Sequence, residues 1–271
     1  MFEGPEDQLK LTENTQPAII THSMALLSQL TQELAKLNVT IVRCLGHSVG
    51  EYAALIAVGS LTFENALRLV RARGQFMQQA VPLGIGAMYA LLKVPEDLVI
   101  KACREASSPD NEVMPANFNE PNQIVISGHK DATEKAIAWI KANYPQPHRA
   151  MELPVSAPFH SRLMRPAAIK MQEILFNTSL APNEIAYIAN IDANEYGPGT
   201  KSEQIKENLH RQIEGSVLWL QSIKSLPENT ICLEVGPGRV LAGLVKKTRP
   251  DLKTISLDQE GAFQQLRETF Q

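Results

Sequence analysis

The alternation of helical and extended stretches predicts an α/β protein: a largely parallel sheet covered by helices, interrupted by an inserted βαββαβ unit. Three observations point there. Apolar residues at helical spacing alternate with short apolar runs through residues 17–85 and again after 154. Between 86 and 153 the rhythm becomes strand, helix, strand, strand, helix, strand. A Gly-x-Ser-x-Gly turn, from Gly46 to Gly50, joins a short apolar run to a helix.

The elements follow in order. Ile20, Met24, Leu27, Leu30, Leu34 and Leu37 recur at helical spacing and predict a helix over 17–37. Residues 40–45 are short and apolar, the mark of a buried strand. Helices are expected over 51–58, ended by Gly59, and over 62–79. The inserted unit reads as strands at 87–92, 112–118, 123–127 and 149–153, with helices at 95–106 and 130–143. This is the ferredoxin-like order. It divides the chain into a large α/β catalytic subdomain, residues 1–85 and 154–271, and a small subdomain, residues 86–153. In the last part helices are expected at 162–175, 201–212, 217–225 and 240–248, with strands at 185–191, 230–235 and 254–257.

Composition narrows the function classes. With 44% hydrophobic and 20% charged residues, a chain of 271 can bury a full core. A net charge of −3 argues against a nucleic-acid binder, which is usually basic. Cys44, Cys103 and Cys232 are scattered, with neither the pairing of a disulfide framework nor the spacing of a zinc site. No apolar run reaches the roughly 18 residues of a membrane span. Residues 1–15 are polar and acidic, unlike a signal or transit peptide, so a cytoplasmic setting is expected.

The chemistry concentrates at a few positions. Ser48 lies between a strand and a helix, where a sharp turn exposes a nucleophile. The N–H of Val49 then sits at a helix N-terminus and can face an oxyanion. A serine hydroxyl needs a base. Among six histidines, His160 stands out because it ends a strand and a Pro-bounded loop just before a new helix. His47 is in the turn itself and points away from Ser48. Arg73 sits beside Gly74, which costs about 1 kcal/mol in a helix, so something must approach closely there. Arginine suits a carboxylate because its planar fork bonds both oxygens. The bland alternatives are a helix-capping histidine at 160 and a solvated arginine at 73, as Arg71 is expected to be.

Seven stretches together resemble the malonyl-CoA:acyl-carrier-protein transacylases and the acyltransferase domains of modular synthases. They are 15–19, 46–55, 73–78, 116–121, 123–128, 154–160 and 234–238, in the family's order. The resemblance implies a hydrolase-like core, Ser48 as the acylated residue and His160 as its base. It implies Gln212 as the residue that orients the histidine, Val49 as an oxyanion donor and Arg73 as the holder of the malonyl carboxylate. Phe159 resembles the malonyl-selecting form of its loop, and Met77 and Met88 are candidates for the acyl pocket, with core packing as their alternative. The partners implied are malonyl-CoA and acyl carrier protein, with no cofactor. Lys246, Lys247 and Arg249 form the densest basic cluster and are the candidate docking patch, if they are not simply a solvated helix end. The family's opening strand and Gly-Gln-Gly turn are not found, so a core strand and a second oxyanion donor, whose loss costs about 10²–10³ in rate, are expected to be missing. Two rival readings stay open: a serine esterase or thioesterase with the same elbow, and an inactive shortened fragment.

Overall fold

The computed structural model describes residues 3–271. The chain begins with α1 (Glu6–Lys10) and α2 (Thr12–Leu37), then β1 (Arg43–Leu45), α3 (Gly50–Ala57) and α4 (Phe63–Gln78). Next come β2 (Gly86–Leu92), α5 (Glu96–Ala106), β3 (Val113–Glu120), β4 (Gln123–His129), α6 (Lys130–Asn143) and β5 (Arg149–Glu152). A 3-10 turn at Arg162–Met164 leads into α7 (Arg165–Asn177), β6 (Ala186–Ile188), β7 (Glu195–Tyr196), α8 (Ser202–Gln212) and α9 (Trp219–Lys224). The chain closes with β8 (Ile231–Glu234), α10 (Val240–Thr248), β9 (Lys253–Ser256) and α11 (Ala262–Phe270).

Helix α2 starts five residues before the expected position and runs through Pro17. Proline lacks the N–H that would bond the carbonyl four residues back. That carbonyl, of Glu13, instead accepts from Arg71 Nη1 at 2.9 Å. Arg71, expected to be solvated, thus repairs the helix that the proline interrupts. Gly74 has an equally local reason. A methyl group there would lie 2.8 Å from the Thr12 carbonyl oxygen, so α4 crosses the first turn of α2 at that glycine.

The predicted parallel sheet appears as two short parallel ladders rather than one continuous surface. Strand β1 pairs with β6, with Cys44 opposite Tyr187, and β8 pairs with β9. Strand β7 adds to β6 antiparallel. The ladders are short because the chain leaves them early: the Ala189 N–H already donates to Asn194 O in a turn. The helix expected from 217 starts only at Trp219, because Val217 exchanges backbone hydrogen bonds with Ala116 and Phe118 of β3.

The segment from β2 to β5 makes an antiparallel sheet in the order β3-β4-β2-β5. Its side chains alternate between faces, as pleating requires. Leu91, Ile124 and Ile126 pack with Val99, Cys103, Ala136 and Ile140 of α5 and α6. Met88, Ala90, Ala116 and Val125 line the opposite face, where Leu153 and Phe159 pack. That second face supports the loop that carries His160. The main core lies among α2, α3, α4, α7 and α8, around Ile20, Tyr52, Leu69, Met77, Met171 and Leu209. Among the described residues, no helix is long and apolar enough to cross a membrane.

Candidate active site

The turn between β1 and α3 holds Ser48 at φ 51, a left-handed conformation that non-glycine residues seldom adopt. A methyl group on Gly46 would run into the Gly50 backbone, so the two arms of the turn touch there. Gly50 itself has open space where a side chain would go. Closure of the elbow therefore rests on the first glycine. His160 is also left-handed, at φ 54. Such strain persists only where the surroundings over-determine it, and it gathers at functional sites.

The two strained residues meet. Ser48 Oγ lies 2.8 Å from His160 Nε2. His160 Nδ1 lies 3.0 Å from the Gln212 carbonyl oxygen, which can only accept. The Nδ1–H therefore donates to that carbonyl, leaving Nε2 as the acceptor that faces the serine hydroxyl. His160 is 3% exposed. Burial, reinforced by the Arg73 charge, holds its pKa down to about 3, so the ring is neutral and able to take a proton.

Arg73 closes the third side. It is 2% exposed, and its Nη2 donates to Ser48 Oγ at 3.1 Å and to Gln212 Oε1 at 3.0 Å. Its Nη1 donates to Gln16 Oε1 at 2.8 Å. The face of Tyr52 lies 5.8 Å from the guanidinium carbon. These partners are neutral, and no salt bridge reaches Arg73 among the described residues. A buried cation without a counter-ion at contact can receive a carboxylate from a ligand.

The oxyanion geometry is specific. The Ser48 N–H is already taken by Asn190 Oδ1 at 2.7 Å. The Val49 N–H, at the N-cap of α3, donates to nothing among the described residues. It is the donor left free beside the nucleophile.

Ser48 with Val49, Arg73, His160 and Gln212 thus converge from four separate stretches. Phe159 and Met88 share one apolar cluster beside the His160 loop. Met77 is buried in the helical core, where it serves packing. In the basic cluster, Lys247 contacts Glu120 at 3.4 Å and Arg249 pairs with Asp251, so two of its three charges are already answered. His47 faces Asn119 Oδ1 at 2.8 Å, turned away from the serine as expected. His22 pairs with Asp258.

Four residues at the site went unread in the sequence: Gln16, Glu51, Tyr52 and Asn190. Glu51 carried a signal, since a carboxylate directly after the elbow opens an otherwise apolar helix. Its carboxylate accepts from Gln212 Nε2 at 2.7 Å and from the Asn190 N–H at 3.1 Å. Gln16 and Asn190 are ordinary polar residues in ordinary contexts, and only the folded chain brings them in.

The acyl transferase domain family matches residues 1–259. The malonyl CoA-acyl carrier protein transacylase of Bacillus subtilis is 40% identical over 274 residues, covering 99% of this chain and 84% of that protein. The crystal structure of the malonyl-CoA:acyl carrier protein transacylase of Xanthomonas oryzae superposes with a TM-score of 0.90 at 35% identity, over 98% of this chain and 83% of the other. A malonyl-transacylase solved in complex with its type II PKS acyl-carrier protein gives a TM-score of 0.89 at 34% identity, over 98% and 84%.

Proposed function

Since the chain belongs to the acyl transferase domain family, among the malonyl CoA-acyl carrier protein transacylases, we propose that it transfers a malonyl group from malonyl-CoA to the phosphopantetheine thiol of acyl carrier protein through a malonyl-serine. One observation carries this reading. A single serine oxygen lies 2.8 Å from a neutral imidazole nitrogen and 3.1 Å from a buried guanidinium. A malonyl ester on Ser48 would place its free carboxylate one methylene beyond the ester carbonyl. A cation this close to Oγ suits that short diacid and has no purpose in a plain esterase.

The steps follow. Ser48 Oγ attacks the thioester carbon while His160 Nε2 accepts the hydroxyl proton. The C–O bond forms, and the oxyanion lies against the Val49 N–H. Collapse breaks the C–S bond, and the departing CoA sulfur takes the proton from His160. The carrier's thiol then gives its proton to His160 and its sulfur attacks the ester carbon; the ester C–O bond breaks, and Ser48 Oγ takes the proton back from His160. Gln212 holds the imidazole through its backbone carbonyl throughout. Phe159 and Met88 wall the acyl side, and the Phe159 ring favours malonyl over an α-methyl homologue.

The finer architecture belongs to the same reading. Residues 86–153 form a ferredoxin-like small subdomain, supported by the strand order β3-β4-β2-β5 with both helices on one face. Residues 1–85 and 154–271 form a hydrolase-like large one, supported by the strand–elbow–helix unit at Ser48. The free thiols Cys44, Cys103 and Cys232 suit the reducing cytoplasm.

The test is mass spectrometry of the chain after exposure to malonyl-CoA, with and without holo carrier protein. The expected result is a malonyl adduct on Ser48 that the carrier thiol removes. CoA release equally fast without carrier would assign a hydrolase instead, and the absence of any adduct would leave the fragment reading.

A further inference from the structure

Glu51 is fully buried, although it is charged in water and follows the nucleophile by three positions. Its Oε2 accepts from Gln212 Nε2 and from the Asn190 N–H, while Oε1 has no partner among the described residues. A buried carboxylate with one oxygen unanswered is costly, and burial pushes its pKa up to about 7. No step of the transfer uses it.

Its place in the network suggests why it is there. The Gln212 side chain has one end that donates and one that accepts. The donor end meets Glu51 Oε2 at 2.7 Å and the Ser48 carbonyl at 3.0 Å. The acceptor end meets Arg73 Nη2 at 3.0 Å. Rotated by half a turn, the amide would aim its NH₂ at the guanidinium, donor against donor, and its oxygen at a carboxylate. Glu51 forbids that arrangement. Protonation does not change the argument, because Oε2 still accepts when the proton is on Oε1.

We propose that Glu51 is a positioning residue for substrate selection: it locks the Gln212 amide so that the amide oxygen holds Arg73 ready for the malonyl carboxylate. The proposal rests on the transacylase reading above. It differs from a purely structural role in one respect. The His160 bond uses the Gln212 backbone, which helix α8 fixes, so Glu51 bears on selectivity more than on serine reactivity.

Two substitutions separate acceptor from charge. Glu51→Asp keeps the charge but withdraws the acceptor, and Glu51→Gln keeps the acceptor but drops the charge. Three readouts are compared: kcat and KM with malonyl-CoA, the same with acetyl-CoA, and Ser48 labelling by a fluorophosphonate, which has no carboxylate. In E51D the malonyl-to-acetyl ratio of kcat/KM is expected to fall about tenfold, mostly through KM, with labelling unchanged. In E51Q the ratio is expected to stay within about threefold of the unsubstituted chain. Gln212→Leu, which deletes the relaying amide, is expected to reproduce the E51D loss and keeps the idea testable should E51D not fold. An unchanged ratio in E51D or Q212L, an equal fall in all three readouts, or E51Q behaving as E51D would each overturn the role. Failure of the unsubstituted chain to acylate Ser48 from malonyl-CoA would overturn the underlying reading instead.

Discussion

A guanidinium taken out of water, with only neutral acceptors in hydrogen-bond contact, gains most when a carboxylate arrives. Arg73 is in that position, so Arg73→Ala is expected to lower malonyl kcat/KM on the order of a hundredfold. Acetyl transfer, which offers no carboxylate, should change far less. Equal losses with both thioesters would take substrate choice away from Arg73. His160 supports a second expectation at this scale. An imidazole in water, with a pKa near 6.5, would be about three-quarters protonated at pH 6 and unable to accept. Burial keeps the His160 pKa near 3, so no such limb should appear. The clean measurement uses E51Q, which removes the carboxyl that titrates near 7. There kcat/KM should stay level from pH 8 to about 5.5, and an acid limb near 6.5 would show a solvated base. Ser48 and His160 were readable because each breaks a local pattern, a Gly-flanked turn and a Pro-bounded loop; Gly74 pointed to Arg73, but its own reason is the crossing of α2. Gln16 and Asn190 break none, since their partners lie 57 and 142 residues away in the chain.

At the scale of elements, the elbow and the helix crossing obey the same rule, that backbone meets backbone only where a side chain is missing. The two elbow glycines look alike in the sequence and differ in the fold. Gly46→Ala drives a methyl group into the Gly50 backbone, which cannot yield without opening the turn. It is expected to cost about 3 kcal/mol or more and to abolish Ser48 acylation. Gly50→Ala meets nothing and occupies the first position of α3, so it should fold and gain up to about 1 kcal/mol. Thermal denaturation of the two variants checks the pair, and similar melting temperatures would mean that the turn is looser than described. Gly74 shows what a sequence signal can and cannot convey. The penalty of a mid-helix glycine announced a close approach, but only the fold names α2 as the neighbour. Element ends were the least legible feature. The helix read from 217 starts at Trp219, because Val217, a β-branched residue, bonds to Ala116 and Phe118 of β3 instead.

For the molecule as a whole, buried ionisable groups couple its stability to pH, and they pull in opposite directions. His160 and His47 are buried neutral, with pKa values below that of an exposed histidine. Between the folded and unfolded pKa of each, the unfolded chain binds the extra proton, so stability falls as pH drops below about 6.5. Glu51 is the reverse case. Burial raises its folded pKa to about 7, against 4.5 unexposed to the fold. The folded chain binds the extra proton across that window, so Glu51 favours folding at the acid end, and this contribution is lost as pH rises through 7. With two histidines against one carboxyl, the unsubstituted protein is expected to lose melting temperature between pH 7 and pH 5, and Glu51 softens the loss. Glu51→Gln removes the softening. Its melting temperature relative to the unsubstituted chain should be most favourable at pH 8, where the buried charge is gone, and should decline steadily towards pH 5. Melting curves of both proteins at pH 5, 6, 7 and 8 decide the matter. Parallel pH profiles would mean that Glu51 does not titrate in this range, and a difference that grows towards acid would reverse the assigned sign.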